Sequence, residues 1–517
     1  MLVKIAARQS DLARIQAFEV GRALRKASPD LKIEFSFRTS LGDQRADDPL
    51  WKMPEKGVFT EDFVADIMSG TADMVVHSWK DLPIIDRPGT KIAATLSRAD
   101  ARDVLLVRRD RWSKIWGEVK TEGAAASFRV LTSSPRRAYN LEPFLKWALP
   151  WRQPPASIEF VPVRGNIATR VKKLVSVTFD ESFDALVVAK AALDRLLVAG
   201  KYGEEFSLGE RELRAAMEVV DFVVLPLSVN PAAAAQGALA IEVRSDRSDL
   251  LSLCEKIDCR TDRECVEAER RELSKHGGGC HQKIGVTVIE REYGRVEFIK
   301  GFTDTEITLD SVRLLRTSSK VSAWPKAKSE EIFSGEMKSI DRSMIRADLP
   351  RGSFMVSRAN AWPTGAVRVS GEFSWCAGLE TWRKLAAKGV WVNGSSESLG
   401  DSELPQIDTL AGKKVAWTRL THEAAAKNEK RKTQMPSLAT YRVQIAPPDA
   451  KELAATKYFY WKSGSQFQAA LKVCPSIANG YHGSGPGHTH DVVKASVPHE
   501  RLAVFLSEAD FLERVKR

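Results

Sequence analysis

Arg8, Arg136, Arg137, Arg164 and Arg170 each stand in a loop or first helical turn that follows a short apolar run. If those runs are strands sharing one sheet edge, several guanidinium groups point into a common crevice. Arginine suits such a place because its planar fork grips a carboxylate through two parallel hydrogen bonds and never loses its charge. Thr132, Ser133 and Ser134 come just before the pair at 136–137. At a helix N-terminus they add hydroxyl and backbone N–H donors, which also favour an anion. The chemistry implied is the holding of an acidic small molecule. Two plainer readings use the same residues: separate surface arginines, or a patch for nucleic-acid phosphates.

Asp81 is the one acid in the cluster His77-Ser78-Trp79-Lys80-Asp81. Among cations its carboxyl group stays ionised, fit to steady a cationic intermediate or to relay a proton. The alternative is a helix N-cap in a strand–helix loop. Gly277-Gly278-Gly279-Cys280 sets a thiol on a glycine loop, as a nucleophile, a covalent anchor, or an inert half-buried cysteine. Cys254, Cys259 and Cys265 lack C-x-x-C spacing, so no zinc site is expected. His482, His488 and His490 flank the turn 483–487 without an acid or cysteine beside them. A solvated loop is the expectation there, and no metal.

These residues need elements to hold them. Strand and helix patterns alternate in the manner of parallel-sheet domains: Val3–Ala7, a helix from Leu12 to Arg25 with Ser10 at its N-cap, Ile33–Arg38, a helix Thr60–Met68, then Asp73–Val76. The 77–81 cluster falls at the C-terminal end of that last strand, where ligands bind in open α/β sheets. A second set follows, with strands Asp103–Val107, Arg129–Leu131, Ile158–Val163 and Phe183–Ala189 and helices through Arg170 and from Ala191. A helix Cys265–Lys275 and strands Ile284–Ile289 and Arg295–Phe302 read as a small α+β unit. A linker is expected within 318–347. Strand–helix alternation then resumes, with strands Phe354–Val356, Gly389–Val392, Lys414–Thr418 and Tyr458–Trp461.

Composition sets the outer bounds. A chain of 517 residues exceeds what one core serves and calls for about three or four domains. With 43% hydrophobic and 28% charged residues it is neither disordered nor fibrous. No run reaches the ~18 apolar residues of a membrane span, and the start reads as a strand rather than an export signal. Six irregularly spaced cysteines point to a reducing cytoplasm. The net charge of +11 fits either general solubility or a channel for an acidic substrate.

Seven collinear motifs resemble the porphobilinogen deaminase (hydroxymethylbilane synthase) family over about residues 3–310. Lys4–Ser10 is similar to its opening RIGTRxS, and Gly42-Asp43 through Phe59 to GD…PL…GGKGLF. Val76–Pro83 resembles AVHSxKDxP, Thr132–Arg137 resembles TSSxRR, and Arg164–Arg170 resembles RGNxxTR. Gln236–Glu242 and Glu269 through Cys280 complete the set.

The resemblance implies two periplasmic-binding-protein-like α/β domains plus a small α+β domain, an α/β fold class overall. The expected layout is 1–100 with 219–236, then 101–218, then 237–317. Cys280 is implied to carry a covalent dipyrromethane cofactor and Asp81 to be the catalytic carboxylate. Lys80, Thr132, Ser134, Arg136, Arg137, Arg164 and Asp43 are implied on the cofactor, and Arg8, Ser10, Arg170, Arg195 and Lys56 on the substrate, porphobilinogen. The implied reaction is four condensations with loss of ammonia, each through an azafulvenium cation, then release of the linear tetrapyrrole by a monomer, without nucleic acid or membrane. The sequence departs from the family at Ala7 and Ser40, and PAPGQG is replaced by Ala232-Ala233-Ala234-Ala235-Gln236-Gly237. That replacement alters a hinge-like connection.

Residues 348–517 form a separate α/β region. Tyr458–Ser465 and His482–Thr489 resemble the second half of uroporphyrinogen-III synthase, with Ser463, Ser465 and Thr489 as candidate residues; a degenerate module is the competing reading. For the whole chain the alternative from another class is a non-catalytic binding protein for an acidic small molecule. Such a protein has no need of Asp81 together with a glycine-loop thiol.

Overall fold

In the computed structural model the described residues are 1–39, 61–84, 87–111, 127–176, 183–277, 282–315, 321–333, 340–366, 369, 371–400, 404–427, 435–446 and 448–516. They form a mixed α/β protein with several sheets, divided into two compact units. The first covers Met1–Lys146, Gln153–Glu290 and Glu297–Ser311.

Two five-stranded sheets of the same design make up most of the first unit. One contains β1 (Leu2–Arg8), β2 (Lys32–Arg38), β3 (Met74–Ser78), β4 (Thr90–Ala94) and the distant β10 (Leu239–Arg244), in the order β2-β1-β3-β10-β4. The other contains β5 (Asp103–Arg108), β6 (Phe128–Leu131), β7 (Ile158–Val161), β8 (Ala185–Ala189) and β9 (Val220–Val224), in the order β7-β6-β8-β5-β9. In each sheet one strand runs against its neighbours: β10 against β3 and β4, and β5 against β8 and β9. Those two strands are the ones entered from the other sheet. The chain crosses over between β4 and β5 and returns between β9 and β10.

The expected boundaries need correction here. The segment 219–236, assigned to the first domain, holds β9, which pairs with β5 in the second sheet; β10, assigned to the third domain, is ladder-bonded inside the first. The reason is the antiparallel insertion of β10, whose apolar Leu239, Ile241 and Val243 fill the same core as Val3, Ile5, Met74 and Val76. At about 25 cal/mol per Å² of buried apolar surface, such a strand cannot be left outside the layer it completes.

The helix Asp11–Ala27 buries Ile15, Val20 and Leu24 and ends on Arg25 and Lys26, cations that suit a helix C-terminus. Ser10 takes the N-cap position, but its hydroxyl makes no capping bond. A third sheet, β11 (Gly285–Ile289), β12 (Arg295–Phe302) and β13 (Thr308–Leu315), packs with the helix Arg260–Ser274 through Leu273, Ile284, Val286, Ile299 and Leu309.

The second unit covers Trp147–Arg152, Arg291–Val296 and Val312–Arg517. Its larger sheet has the order β14-β19-β18-β15-β16-β17, from β14 (Ile340–Met344), β15 (Ser353–Val356), β16 (Ser374–Cys376), β17 (Gly394–Ser395), β18 (Trp417–His422) and β19 (Ser437–Ile445). Its smaller sheet is fully parallel: β20 (Tyr458–Trp461), β21 (Tyr481–Ser484) and β22 (Leu502–Val504). The described residues of the expected linker 318–347 belong to packed structure instead. Val321, Trp324 and Ala327 join a core with Tyr458, Phe505 and Phe511, and β14 is a ladder strand against β19. The apolar residues in that polar stretch are few but large, so a composition average hides them. Nor is Gly389–Val392 a strand. Gly389 turns the chain at φ +84°, the apolar residues 390–392 are buried without a ladder, and β17 follows two residues later. Among the described residues no helix is long and apolar enough to cross a membrane.

Candidate functional site

β3 runs into a single 3-10 turn, Trp79–Asp81. Trp79 is buried against Ala235, Ala238, Ala240 and Val266, and its backbone N–H donates to Ala238 O at 3.1 Å. With the indole anchored inward, the next two side chains leave the core. Lys80 is half-buried and its Nζ donates to Oε1 of Gln236 at 3.4 Å. Burial lowers the Lys80 pKa, and the charges of Arg137 and Arg136 act the same way against Asp81 and Asp103. Asp81 is exposed, and among the described residues its carboxylate has no hydrogen-bond partner. It ends the turn, while Ser78 holds the N-cap position, so the N-cap reading of Asp81 does not hold.

At the end of β6 the helix Pro135–Ala148 presents Arg136 and Arg137 in its first turn. Both are buried and both meet Asp103, the first residue of β5. Arg137 grips it with Nε at 3.0 Å and Nη2 at 2.7 Å, and Arg136 adds Nη2 at 3.0 Å. Arg136 also donates through Nη1 to Asn230 Oδ1 (2.9 Å) and Pro231 O (2.7 Å). Burial pushes the Asp103 carboxyl up, but the two guanidinium groups and the bonds from Arg137 and Gln236 outweigh it and hold the pKa below the usual carboxylate range. The hydroxyls before the helix shape the backbone: Thr132 Oγ1 accepts from Ser134 N at 3.3 Å, Ser133 Oγ donates to Val163 O at 2.7 Å, and Ser134 Oγ accepts from Arg137 N at 3.5 Å.

Beyond β7, Asn166 caps the helix Ile167–Val175, its Oδ1 accepting from Thr169 N at 2.8 Å. This brings Arg170 back over the loop, where its Nε donates to Gly165 O at 2.7 Å. Burial lowers the Arg170 pKa, and the charges of Arg137 and Arg164 add to it. Arg137, Arg164 and Arg170 therefore share one electropositive neighbourhood, with Arg164 exposed. Arg8 ends β1, which is parallel to β3, and Ser10 follows it, both at the same edge of the first sheet as Lys80.

Arg195 lies beside the return crossing. It is buried, donates through Nε to Glu19 Oε2 at 2.9 Å, and reaches Gly237 O at 3.4 Å through Nη2. Glu19 also accepts from Tyr202 Oη at 2.9 Å. Asp43, Lys56 and Cys280 lie outside the described residues. On either side of the cysteine loop, the Gln282 amide donates to His276 O and ties the loop's two ends together.

Sequence reasoning did not single out the residues that organise this edge: Asp103, Gln236, Asn230, Arg98 and Glu269. Gln236 donates through Nε2 to Ala101 O (2.7 Å) and Asp103 Oδ1 (2.8 Å), linking the return crossing to the outward one. Glu269 is fully buried; it accepts from Arg98 Nη1 and Nη2 (2.6 and 3.0 Å) and from the backbone N–H groups of Ala235 and Val288 (2.6 and 2.7 Å). The available clue was an acid at the head of an otherwise apolar strand, Asp103-Val104-Leu105-Leu106-Val107.

In the second unit Ser463 caps the helix Gly464–Val473, its Oγ accepting from Gln466 N at 3.3 Å. Ser465 and Thr489 are half-buried; the serines follow β20 and Thr489 follows β21, at matching ends of parallel strands. The solvated loop expected around the histidines is not what forms. His482 lies within β21 with no exposure; its Nδ1 accepts from Trp461 Nε1 at 2.9 Å and its Nε2 lies 2.8 Å from Ile477 O. Burial pushes its pKa down to about 4. His490 Nδ1 lies 3.3 Å from Ser484 Oγ.

Residues 3–252 match the family model described as "Porphobilinogen deaminase, dipyromethane cofactor binding domain". The chain is 35% identical to the porphobilinogen deaminase of Chromobacterium violaceum over 283 residues, 55% of this chain and 78% of that one. It is 33% identical to the probable porphobilinogen deaminase of Methanopyrus kandleri, over 61% of this chain and 92% of that one. It is also 33% identical to the enzyme of Syntrophomonas wolfei, over 54% and 79%. The matched part is thus a dipyrromethane-cofactor-binding domain. About a third of the residues are shared along most of these relatives' length, and the matched segment carries the strand ends on which Lys80, Asp81 and the arginines converge, so the chain belongs to the porphobilinogen deaminase family.

Proposed function

We propose that this chain is a hydroxymethylbilane synthase. It condenses four porphobilinogen molecules with loss of ammonia, using a dipyrromethane held through a thioether at Cys280, and releases the linear tetrapyrrole. The observation that carries this reading is the edge itself: Lys80, Arg137, Arg164 and Arg170 in one electropositive neighbourhood, with the exposed Asp81 beside Lys80. These donors fit a pyrrolic ligand, whose acetate and propionate arms need several fixed cations. When bound, the dipyrromethane supplies the free pyrrole α-carbon that accepts the first condensation.

Arg136, Arg137 and Lys80, with the hydroxyls of Thr132 and Ser134, hold carboxylates at the inner end of the site. Arg164 and Arg170, towards solvent, and Arg8 and Ser10, on the facing edge, take those of the incoming substrate. Asp81 does the chemistry: its carboxylate stabilises the cation left when ammonia departs from porphobilinogen and takes up the proton released on condensation. Arg195 supports the scaffold through Glu19 rather than gripping substrate. Asp43 and Lys56 remain assigned as the family resemblance implies. The two sheets correspond in this reading to periplasmic-binding-protein-like domains, each with one reversed strand, and the third sheet to the domain bearing the cysteine. The enzyme acts as a cytoplasmic monomer. Intact-protein mass spectrometry after denaturation tests the reading: a mass excess of two linked pyrrole units is expected, and it is lost in Cys280→Ser. An unmodified chain in a preparation that consumes porphobilinogen would refute it.

For residues 348–517 the reading is a uroporphyrinogen-III synthase-like region that cyclises the released product. Ser463, Ser465 and Thr489 favour it by following neighbouring parallel strands at the edge where α/β sheets bind ligands. Full-length protein supplied with the linear tetrapyrrole should yield the type III ring. Exclusive closure to the symmetric type I ring would make the region non-catalytic.

A further inference from the structure

Asp103 opens β5 where the chain has just crossed from the first sheet to the second, and its side chain has no exposure. Five N–H groups end on its carboxylate. Arg136 Nη2 (3.0 Å), Arg137 Nε (3.0 Å) and Asn230 Nδ2 (2.9 Å) meet Oδ2, while Arg137 Nη2 (2.7 Å) and Gln236 Nε2 (2.8 Å) meet Oδ1. The donors come from the first turn of a helix and from the return crossing. One of them, Gln236, also accepts from Lys80. One buried anion thus lies among three cations that would otherwise repel one another.

We propose that Asp103 is a positioning residue for this site: it aims Arg136 and Arg137 directly, and Lys80 through Gln236, so that the three cations receive the carboxylates of a pyrrolic ligand. The proposal rests on the reading of the site given above. Its physical basis is the cost of a buried charge without its partner, which exceeds that of an ordinary lost hydrogen bond. Neither arginine is used up by Asp103. Among the described residues no acceptor meets Nε of Arg136, and Nη1 of Arg137 donates to Val187 O at 3.2 Å. An asparagine at 103 offers one acceptor oxygen and turns an NH₂ donor towards donors. The guanidinium groups then lose both counter-charge and direction. The effect reaches the ligand only through them, since Asp103 itself has no exposed surface.

The test uses the full-length chain produced without a porphobilinogen supply, then incubated with porphobilinogen while intact mass follows the gain of two pyrrole units. Asp103→Asn should keep a cooperative thermal melt yet load at least ten times more slowly than the parent; Asp103→Glu, which restores the charge, should recover to within threefold of the parent. A cooperatively melting Asp103→Asn that loads at the parental rate overturns the proposal. If Asp103→Asn does not melt cooperatively, Gln236→Met decides, because it leaves every charge in place while removing one bond to Asp103 and the acceptor for Lys80. A loss of at least threefold is then expected, and the parental rate overturns the proposal. A parent chain that never gains the mass removes the reading of the site itself; a loading parent beside an unaffected variant removes the role of Asp103 alone.

Discussion

At the ends of β3 and β6 the first unit gathers guanidinium and ammonium groups around two carboxylates, one buried and shared, the other exposed and, among the described residues, without a hydrogen-bond partner. At the ends of β20 and β21 the second unit presents hydroxyls above a buried neutral imidazole. Both regions use the C-terminal edge of parallel strands, and both begin from a turn held by a buried aromatic or a capping serine. They differ in what lies beneath. Asp103 lets cations approach one another in a buried setting, as the proposed ligand with its several carboxylates requires. His482, with a pKa near 4, adds no charge above acid pH, and the second edge offers hydrogen bonds without a strong field. Similar strand ends thus carry different charge, and the buried residue behind each edge sets it.

That contrast can be broken most directly at Asp81. Asp81→Ala should lower porphobilinogen consumption by about 10²–10⁴-fold while the covalent two-pyrrole mass is retained. Steady-state rates together with intact mass check both halves, and near-normal turnover would end the assignment.

The buried histidine gives the next largest effect. Its folded pKa lies below the unfolded value of about 6.5, so the unfolded chain binds the extra proton between those values and stability falls as pH drops through that window. Between pH 7 and pH 5 the loss from this one group is about 2 kcal/mol. His482→Gln should flatten that part of the dependence in thermal melts, and an unchanged slope would show that His482 is not its source. Asp103 acts in the same direction but at lower pH. Its depressed pKa gives a contribution fully present above the unfolded carboxyl value and lost only as pH falls through the lower folded one, so its cluster should persist across the same window.

A smaller effect sharpens the comparison at the second edge. Ser463→Ala removes the helix cap and should cost about 1 kcal/mol of stability with porphobilinogen consumption unchanged. A fall in that consumption would mean that the two edges are coupled. The smallest effect sits on the return crossing. Ala235, at the glycine position of the resembled PAPGQG motif, holds φ +68°, a left-handed conformation that costs a side-chain-bearing residue about 1 kcal/mol. Ala235→Gly should raise the melting temperature by a few degrees, and a lower melting point would show that the methyl group's packing outweighs the strain. Its neighbour Gly237 tolerates no such exchange: at φ +90° an added Cβ would stand 2.4 Å from Ala99 O, where the two crossings touch.

Much of the first edge was legible from local pattern. Alternating apolar runs marked β1, β3, β5, β6 and β12 to within a residue or two, and the charged groups just after them fell where strand ends place ligands. The partner of Arg195 was not legible, because Glu19 lies far away along the chain on another helix. Asp103 was passed over because nothing within a few residues of it hints at two arginines, an asparagine and a glutamine arriving from elsewhere. The segment 318–347 misled for a related reason: Trp324 and Phe333 are isolated among polar residues, and only the strands after Tyr458 give them something to pack on.

By itself the chain order of amino acids determined the strand and helix periods, the cationic character of the loops and the chemistry available to each side chain, since all of these depend on neighbours within about a turn or a pleat. The tertiary structure alone decided which sheet β9 and β10 complete, which arginines meet an internal acid, and that one buried carboxylate sits among three cations. Those outcomes depend on groups far apart in the chain being desolvated together, and the balance between burial and ion pairing is defined only once the crossings have closed.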